Sequence, residues 1–253
     1  MTKPKTPTVG PTTIAGYGAG DFGFNLFYAG LNLYLLYYYT DVLHIDPAIA
    51  GLIFMIPVIW DGISDPFMGW LATRTNTRLG KFRPYILFGA PAMGLSFVGM
   101  FAAPIWFPDH LVAACLVSHI VFRTMYTVCS VPYSALAAAL TFDSSERNTM
   151  AGVRMVAAML GGIATAATML ELAHHFGESD VRAGFVWVAV IYALLASVMM
   201  TVIFLTTTEQ AVTANETHIT SHQTLSFLKA NTAFWILCSA SLIGGIGTTM
   251  GSK

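Results

Sequence analysis

Charged residues are scarce in this sequence. The 12 basic and 13 acidic side chains make up only 10% of the 253 residues, whereas a soluble domain carries about a quarter. Because 55% of the residues are hydrophobic and the mean hydropathy is +0.65, a water-soluble enzyme domain is excluded. The formal net charge of −1 leaves no basic surplus that could neutralise phosphates, which excludes nucleic acid as a partner.

Cysteine is also scarce. Cys115, Cys129 and Cys238 all lie in apolar stretches, and no pair of them has the CxxC spacing. Free thiols in such stretches pack as small hydrophobic groups, so neither redox chemistry nor structural zinc is expected. His174 and His175 supply too few ligands for a metal site. The sequence therefore predicts no metal centre and no cofactor.

Long apolar runs are abundant. Each of seven stretches is long enough for a helix that crosses a bilayer, which takes about 20 residues. The expected fold is an all-α membrane protein whose first six helices form one bundle. The seven predicted crossings are 14–39, 48–71, 84–107, 111–137, 151–173, 183–205 and 233–250.

Basic residues occur mainly in alternate connections. Positive charge is retained on the cytoplasmic side of a membrane, so the loops after the second, fourth and sixth crossings are expected inside, with the N-terminus. The protein is therefore predicted to be integral and multi-pass in the lipid bilayer. The basic residues that set this orientation are Arg74, Arg78, Lys81, Arg83, Arg147 and Lys229.

The few charges inside the crossings are the most informative residues, because charge at membrane depth is costly and normally faces a cavity or a partner. At 100° per residue they form one stripe on each of three helices. One arginine against three carboxylates would leave a charge of −2, which favours a bound cation or proton. The alternative is that an aspartate pairs with an arginine only to fix helix packing. The stripes are Asp21, Asn25, Tyr28 and Asn32; Asp61, Ser64 and Asp65; and Arg123, Tyr126, Thr127, Ser130 and Ser134.

Two short patterns suggest other functions. Residues 18–23, GAGDFG, match the dinucleotide pattern GxGxxG, but no strand precedes them. The same residues contain GxGD, the motif of intramembrane aspartyl proteases, and Asp61 could supply the second aspartate beside Asp21. The other motifs of that family are missing, so proteolysis is a remote alternative.

Several blocks of sequence resemble one family of transporters. YYYTDV at 37–42, WDGISDPFMGW at 60–70, TRLGKFRP at 77–84 and YTVCSVPY at 126–133 are followed by Asp143, Glu146 and Arg147. They resemble the glycoside-pentoside-hexuronide:cation symporters of the major facilitator superfamily. The resemblance implies secondary transport of a sugar or glycoside with Na⁺ or H⁺, in a bacterial inner membrane, and no enzyme activity.

The resemblance also assigns residues. It implies a cation site at Asp61 and Asp65, with Thr127 and Ser64 beside it. It implies sugar binding at Asp21, to which the polar stripes add Asn25, Tyr28 and Tyr126. Ser130 stands where the melibiose carrier has an aspartate, so melibiose is not the expected sugar. Arg123, Ser130 and Arg154 complete the predicted substrate set. Arg78, Lys81 and Arg83 form the predicted loop that braces the helices during alternating access.

The length implies a further partner, since transporters of this kind have two six-helix halves. Residues 1–205 are predicted to form the N-terminal bundle, 206–229 a central cytoplasmic loop, and 230–253 a seventh crossing that begins a C-terminal bundle. On this interpretation the chain is truncated and a C-terminal half is missing. Two hypotheses follow: part of a sugar:cation symporter, or a membrane half-protein that transports nothing.

Overall fold

The structure is a computed structural model, and it describes residues 9–209. This part of the chain is helical and has no strand. Six long helices follow one another with short connections. They are α1 (Pro11–Gly30), α2 (Pro47–Arg74), α3 (Arg83–Trp106), α4 (Leu111–Leu140), α5 (Ser144–Gly177) and α6 (Val181–Thr206).

Five of the six helices, α2 to α6, are long and apolar enough to cross a membrane. The first, α1, is not among them, and its 20 residues include Asp21, Asn25 and five glycines. It continues through two π-helical segments, Leu31–Leu35 and Tyr38–Val42, so this part of the chain extends beyond the crossing predicted at 14–39. The predicted all-α membrane bundle of six helices is confirmed. The seventh predicted crossing lies outside the described residues.

Aspartates in the connections set where three helices begin. Asp46 accepts backbone N–H bonds at the start of α2, Asp143 at α5 and Asp180 at α6. Such caps satisfy amide groups that have no partner within the helix. Because Asp143 caps it, α5 begins at Ser144 and not at 151 as predicted. Its first two turns are polar and carry no apolar signal.

The helices pack in a pattern with inverted twofold character. α1 packs against α5 and α6, while α4 packs against α2 and α3, and α3 packs against α6. Exchanging α1 with α4, α2 with α5 and α3 with α6 maps these five pairs onto one another; the sixth extensive pair, α5 with α6, has no counterpart between α2 and α3. A 3+3 repeat of this kind occurs within each half of major facilitator transporters.

Glycines allow α1 to approach its neighbours closely. A Cβ atom on Gly18 would lie 2.6 Å from the side chain of Val153, and one on Gly23 would lie 3.4 Å from the backbone of Ala196. Across the same interface, a Cβ on Gly161 would lie 2.7 Å from the carbonyl oxygen of Phe22. The glycine pattern at 18–23 therefore serves helix packing.

Candidate functional site

Asp21 on α1 and Arg154 on α5 form an ion pair in the middle of the bundle. Arg154 Nε lies 2.5 Å from Asp21 Oδ2, and its Nη2 donates to Oδ1 at 3.2 Å. Two parallel bonds of this kind are the strongest arrangement between a guanidinium and a carboxylate. The two side chains retain 29% and 14% exposure, so both can be reached from the open side of the bundle.

Two tyrosines complete this pair. The hydroxyl of Tyr133 lies 2.6 Å from two acceptors, Asp21 Oδ2 and the carbonyl oxygen of Tyr17. The Tyr17 hydroxyl in turn donates to the carbonyl oxygen of Tyr133 at 2.9 Å. The guanidinium of Arg154 lies 5.4 Å and 4.9 Å from the centres of the Tyr17 and Tyr133 rings. The positive charge is therefore held both by a carboxylate and by ring faces. We did not predict either tyrosine from the sequence as part of the site.

A second ion pair joins α2 to α4. Arg123 Nη2 lies 2.5 Å from Asp61 Oδ2, and both side chains are largely buried. Asp61 Oδ1 and Arg123 Nε are also buried, but neither has a hydrogen-bond partner among the described residues. Arg123 was grouped with the substrate residues in the sequence prediction. The structure brings it to Asp61 instead.

Asp65 lies one turn after Asp61 and forms no ion pair within the described chain. Its Oδ1 accepts a hydrogen bond of 2.7 Å from the hydroxyl of Thr127 on α4. The hydroxyl of Ser64 is buried without a hydrogen-bond partner in the part of the chain described here. Of the four residues predicted for the cation site, Asp65 and Thr127 are therefore in contact between α2 and α4, while Asp61 and Ser64 lie within one turn of Asp65 on α2.

The two ion pairs lie apart. Along α4, Arg123 and Tyr133 are ten residues from each other, or about 15 Å at 1.5 Å per residue. The polar stripes predicted one arginine against three carboxylates, and the structure adds a second arginine, Arg154, which is paired with Asp21. Two arginines and three carboxylates give a net charge of −1, divided between two places.

Aromatic rings occupy the space between α1 and α4. Tyr126 lies 5.4 Å from Phe24 and 6.5 Å from Tyr28, measured between ring centres. Tyr28 is half-exposed, next to a groove between α1 and α5. The amides of Asn25 and Asn32 donate to carbonyl oxygens one turn earlier in their own helix. Ser130 is half-buried on α4.

At one end of the bundle, a carboxylate holds the start of α3. We call this the basic end, since it carries Arg74, Arg78, Lys81, Arg83 and Arg147. Glu209 accepts backbone N–H bonds of 2.7 to 2.9 Å from residues 81, 82 and 83. The Arg83 side chain donates to the carbonyl oxygen of Phe204 at 2.6 Å, and Arg78 is exposed. The α2–α3 loop is thus joined to the end of α6.

Comparison with known proteins agrees with this architecture. Residues 16–251 match the family described as "MFS/sugar transport protein". The chain belongs to this family. The resemblance to glycoside/cation symporters is thereby confirmed, and so is the prediction that the protein is not an enzyme, since its relatives are named as transporters and symporters.

Three relatives illustrate the similarity. An uncharacterized symporter of Bacillus subtilis, YnaJ, is 36% identical over 172 residues, which cover 68% of this chain and 37% of the relative. The putative glycoside/cation symporter YagG of Escherichia coli is 30% identical over 90% of this chain and 50% of its own length. The isoprimeverose transporter of Lactiplantibacillus pentosus is 30% identical over 91% and 49%. The chain thus spans between about a third and a half of these relatives.

Membership of this transporter family agrees with the positions of the aspartates. An aspartyl protease needs two carboxylates that share a proton. Here each aspartate is paired with an arginine of its own, Asp21 with Arg154 and Asp61 with Arg123. Neither carboxylate is paired with the other, so the geometry gives no support to the proteolytic alternative.

Proposed function

We propose that this chain forms the N-terminal bundle of a secondary transporter that moves a sugar or glycoside together with Na⁺ or H⁺. The proposal rests on two ion pairs that lie between apolar helices. Near one of them is a third carboxylate, Asp65, which has no cationic partner in the described chain. Charges at membrane depth are costly unless they serve a pathway or a partner.

On the substrate side, Asp21 and Arg154 form the polar floor of the proposed sugar site. A carboxylate accepts and a guanidinium donates, so together they can bind neighbouring hydroxyls of one sugar ring. Tyr133 holds the carboxylate in place. Tyr28 and Tyr126 provide ring surfaces of the kind on which a sugar ring packs.

On the cation side, Asp61 and Asp65 supply the negative charge, while Ser64 and Thr127 supply hydroxyl oxygens. Oxygen ligands suit a hard cation such as Na⁺, and a carboxylate can equally take a proton. Each ligand favours the other because an empty, charged site is expensive to keep out of water during the conformational change.

We further propose that the basic end is cytoplasmic, in a bacterial inner membrane, and that a C-terminal half supplies the facing wall of the site. Residues 206–229 would then form the central loop between the halves. The Glu209 contact with the start of α3 would brace the inner ends of the helices while the two halves rock about the site. Arg78, Lys81 and Arg83 would belong to this brace.

Uptake of radiolabelled glycosides into vesicles tests the proposal. The vesicles contain the full chain, and uptake is measured under a Na⁺ gradient, under a pH gradient and without a gradient. We expect one gradient to stimulate uptake, and D61N and D65N to abolish the stimulation without reducing the amount of protein in the membrane. The control is R182Q, which removes an exposed arginine paired with Asp180 at the opposite end.

Gradient-stimulated uptake that persists in both aspartate variants would refute the assigned cation site. An absence of uptake with every glycoside and either gradient would favour the half-protein that transports nothing.

A further inference from the structure

The two buried ion pairs differ in how completely their atoms are hydrogen-bonded. Arg154 makes two bonds to Asp21, which also contacts the Tyr133 hydroxyl. Arg123 Nη2 contacts Asp61 Oδ2, but within the described residues Asp61 Oδ1 and Arg123 Nε have no hydrogen-bond partner. Buried charged groups left without partners are costly. The Asp61–Arg123 pair is therefore the more weakly satisfied of the two.

The atoms without partners lie where a cation would bind. Asp61 Oδ1 and Ser64 Oγ are buried oxygens with no hydrogen bond in the described chain, and they are three residues apart on α2. Asp65, one turn after Asp61, receives a hydrogen bond from Thr127 but forms no ion pair there. Arg123 thus holds one oxygen of a carboxylate whose other oxygen is available to a ligand.

We infer that Arg123 is a tethered cation that competes with the coupling cation for Asp61 and so sets the affinity and selectivity of that site. This inference rests on the proposed function. When the site is empty, the guanidinium neutralises Asp61. When a cation binds, it replaces the guanidinium there, and Asp61 is never a buried charge without a partner. The neighbouring charged or titratable groups are Asp65 on α2 and His119 and Tyr126 on α4.

The loss of apparent cation affinity depends on the fraction of time that Arg123 is paired with Asp61. If the guanidinium occupies Asp61 for about nine-tenths of the time, the apparent affinity for the competing ion falls about tenfold. Removing the guanidinium should therefore raise the apparent cation affinity by the same tenfold factor. A structural ion pair would give the opposite result, because its loss leaves Asp61 without support and distorts the site.

Trp60 provides a local reporter of this exchange. It precedes Asp61 in the chain, and its Nε1 donates a hydrogen bond of 2.9 Å to Thr124 Oγ1. Thr124 directly follows Arg123. The indole is therefore tied to the helices that carry both partners, and its fluorescence should change when the guanidinium leaves Asp61. The same titration on W60F identifies the contribution of this tryptophan.

The experiment is a NaCl titration of the purified protein in lipid nanodiscs, with choline chloride keeping the ionic strength constant. Trp60 fluorescence and the thermal unfolding midpoint are both recorded. We expect R123Q to lower the half-saturating Na⁺ concentration about tenfold or more, or to create a Na⁺ response where the parent protein has none. R123K, which keeps the positive charge, should resemble the parent. R182Q, which breaks the exposed pair with Asp180, should not change the titration.

Three results of the R123Q titration itself overturn the inference. They are a half-saturating concentration that is unchanged in R123Q, one that rises, and an absence of any Na⁺ response in both R123Q and the parent. If R123Q does not elute as a single species in size-exclusion chromatography, the same titration is made on R123M. This variant replaces the arginine by an apolar side chain of similar length. The proposed function is judged separately, by the uptake assay with D61N and D65N. A Na⁺ response in R123Q that survives in the R123Q/D61N double variant would place the competition elsewhere and also overturn the inference.

Discussion

Replacing Gly161 by alanine tests whether the close α1–α5 crossing keeps the Asp21–Arg154 pair in place. An alanine Cβ would lie 2.7 Å from the Phe22 carbonyl oxygen and 3.1 Å from Asn25 Cβ. Phe22 adjoins Asp21, and position 161 lies two helical turns after Arg154. The two helices therefore cannot separate here without loosening the ion pair.

The expected loss of stability in G161A follows from the contact distance. A carbon–oxygen contact is comfortable at about 3.3 Å, so the helices must move apart by about 0.6 Å. Overpacking of this kind costs about 1–3 kcal/mol, and the higher helix propensity of alanine offsets about 1 kcal/mol. A net loss of up to about 2 kcal/mol lowers the melting temperature of a chain of this size by up to about 8 °C. Far-ultraviolet circular dichroism in detergent measures that midpoint.

Gly162 supplies the matched control, since it is the next residue of the same helix and a Cβ there meets nothing within 4 Å. G162A should be as stable as the parent, or more stable by up to about 1 kcal/mol. If G161A unfolds at the same temperature as G162A, the close crossing is not a constraint on the bundle and the reasoning fails.

Three further predictions concern the basic end and the tyrosine on Asp21. E209A should speed amide hydrogen exchange at residues 81–83, because it removes the acceptor of three N–H bonds at the start of α3, and the exposed E171Q should not. G80A should also speed exchange at these amides, because Gly80 has φ +110° and a Cβ there would lie 2.6 Å from the Glu209 carboxylate. The G80A/E209A double variant should exchange little faster than either single variant. Y133F should lower the melting temperature by about 3–12 °C, because it removes a hydroxyl that lies 2.6 Å from both Asp21 Oδ2 and the Tyr17 carbonyl oxygen, and a bond to a charged group contributes about 1.5–3 kcal/mol. A Y133F protein as stable as the parent would contradict the assigned contact.

Apolar runs predicted the helices because a bilayer-spanning segment must satisfy its backbone internally and present apolar side chains outward. The starts of α2, α3, α4 and α6 fall within two residues of the predicted crossings. The start of α5 was predicted seven residues late, because it depends on the Asp143 cap and on polar turns that carry no apolar signal.

The candidate site was only partly predictable, because periodicity shows which residues share a face but not which faces meet. Asp61, Asp65 and Thr127 were grouped before the structure was known, and they lie together. The partner of Arg123 could not be predicted, since it depends on how α2 packs against α4. Tyr17 and Tyr133 look like packing residues in an apolar helix, and the one available signal was the position of Tyr17 one turn before Asp21.

The inverted packing pattern relates the two ion pairs to each other. Exchanging α1 with α4 and α5 with α2 carries the Asp21–Arg154 pair onto the Arg123–Asp61 pair, with the signs of the charges reversed. The four residues stand eleventh to fifteenth in their helices, so the related positions lie at similar depths from opposite ends. Related helix contacts therefore each contain an ion pair, with the carboxylate on α1 in one and the guanidinium on α4 in the other.

This relation suggests why two ligands of different chemistry can share one bundle. The pair with the carboxylate on α1 leaves no buried atom without a hydrogen-bond partner and offers both donors and acceptors, as a neutral hydroxylated ligand requires. The pair with the guanidinium on α4 is incompletely bonded and has a second carboxylate one turn away, as a displacing cation requires. If the R123Q titration shows competition at Asp61, the corresponding R154Q variant should show none, because Arg154 completes its site and does not compete for it.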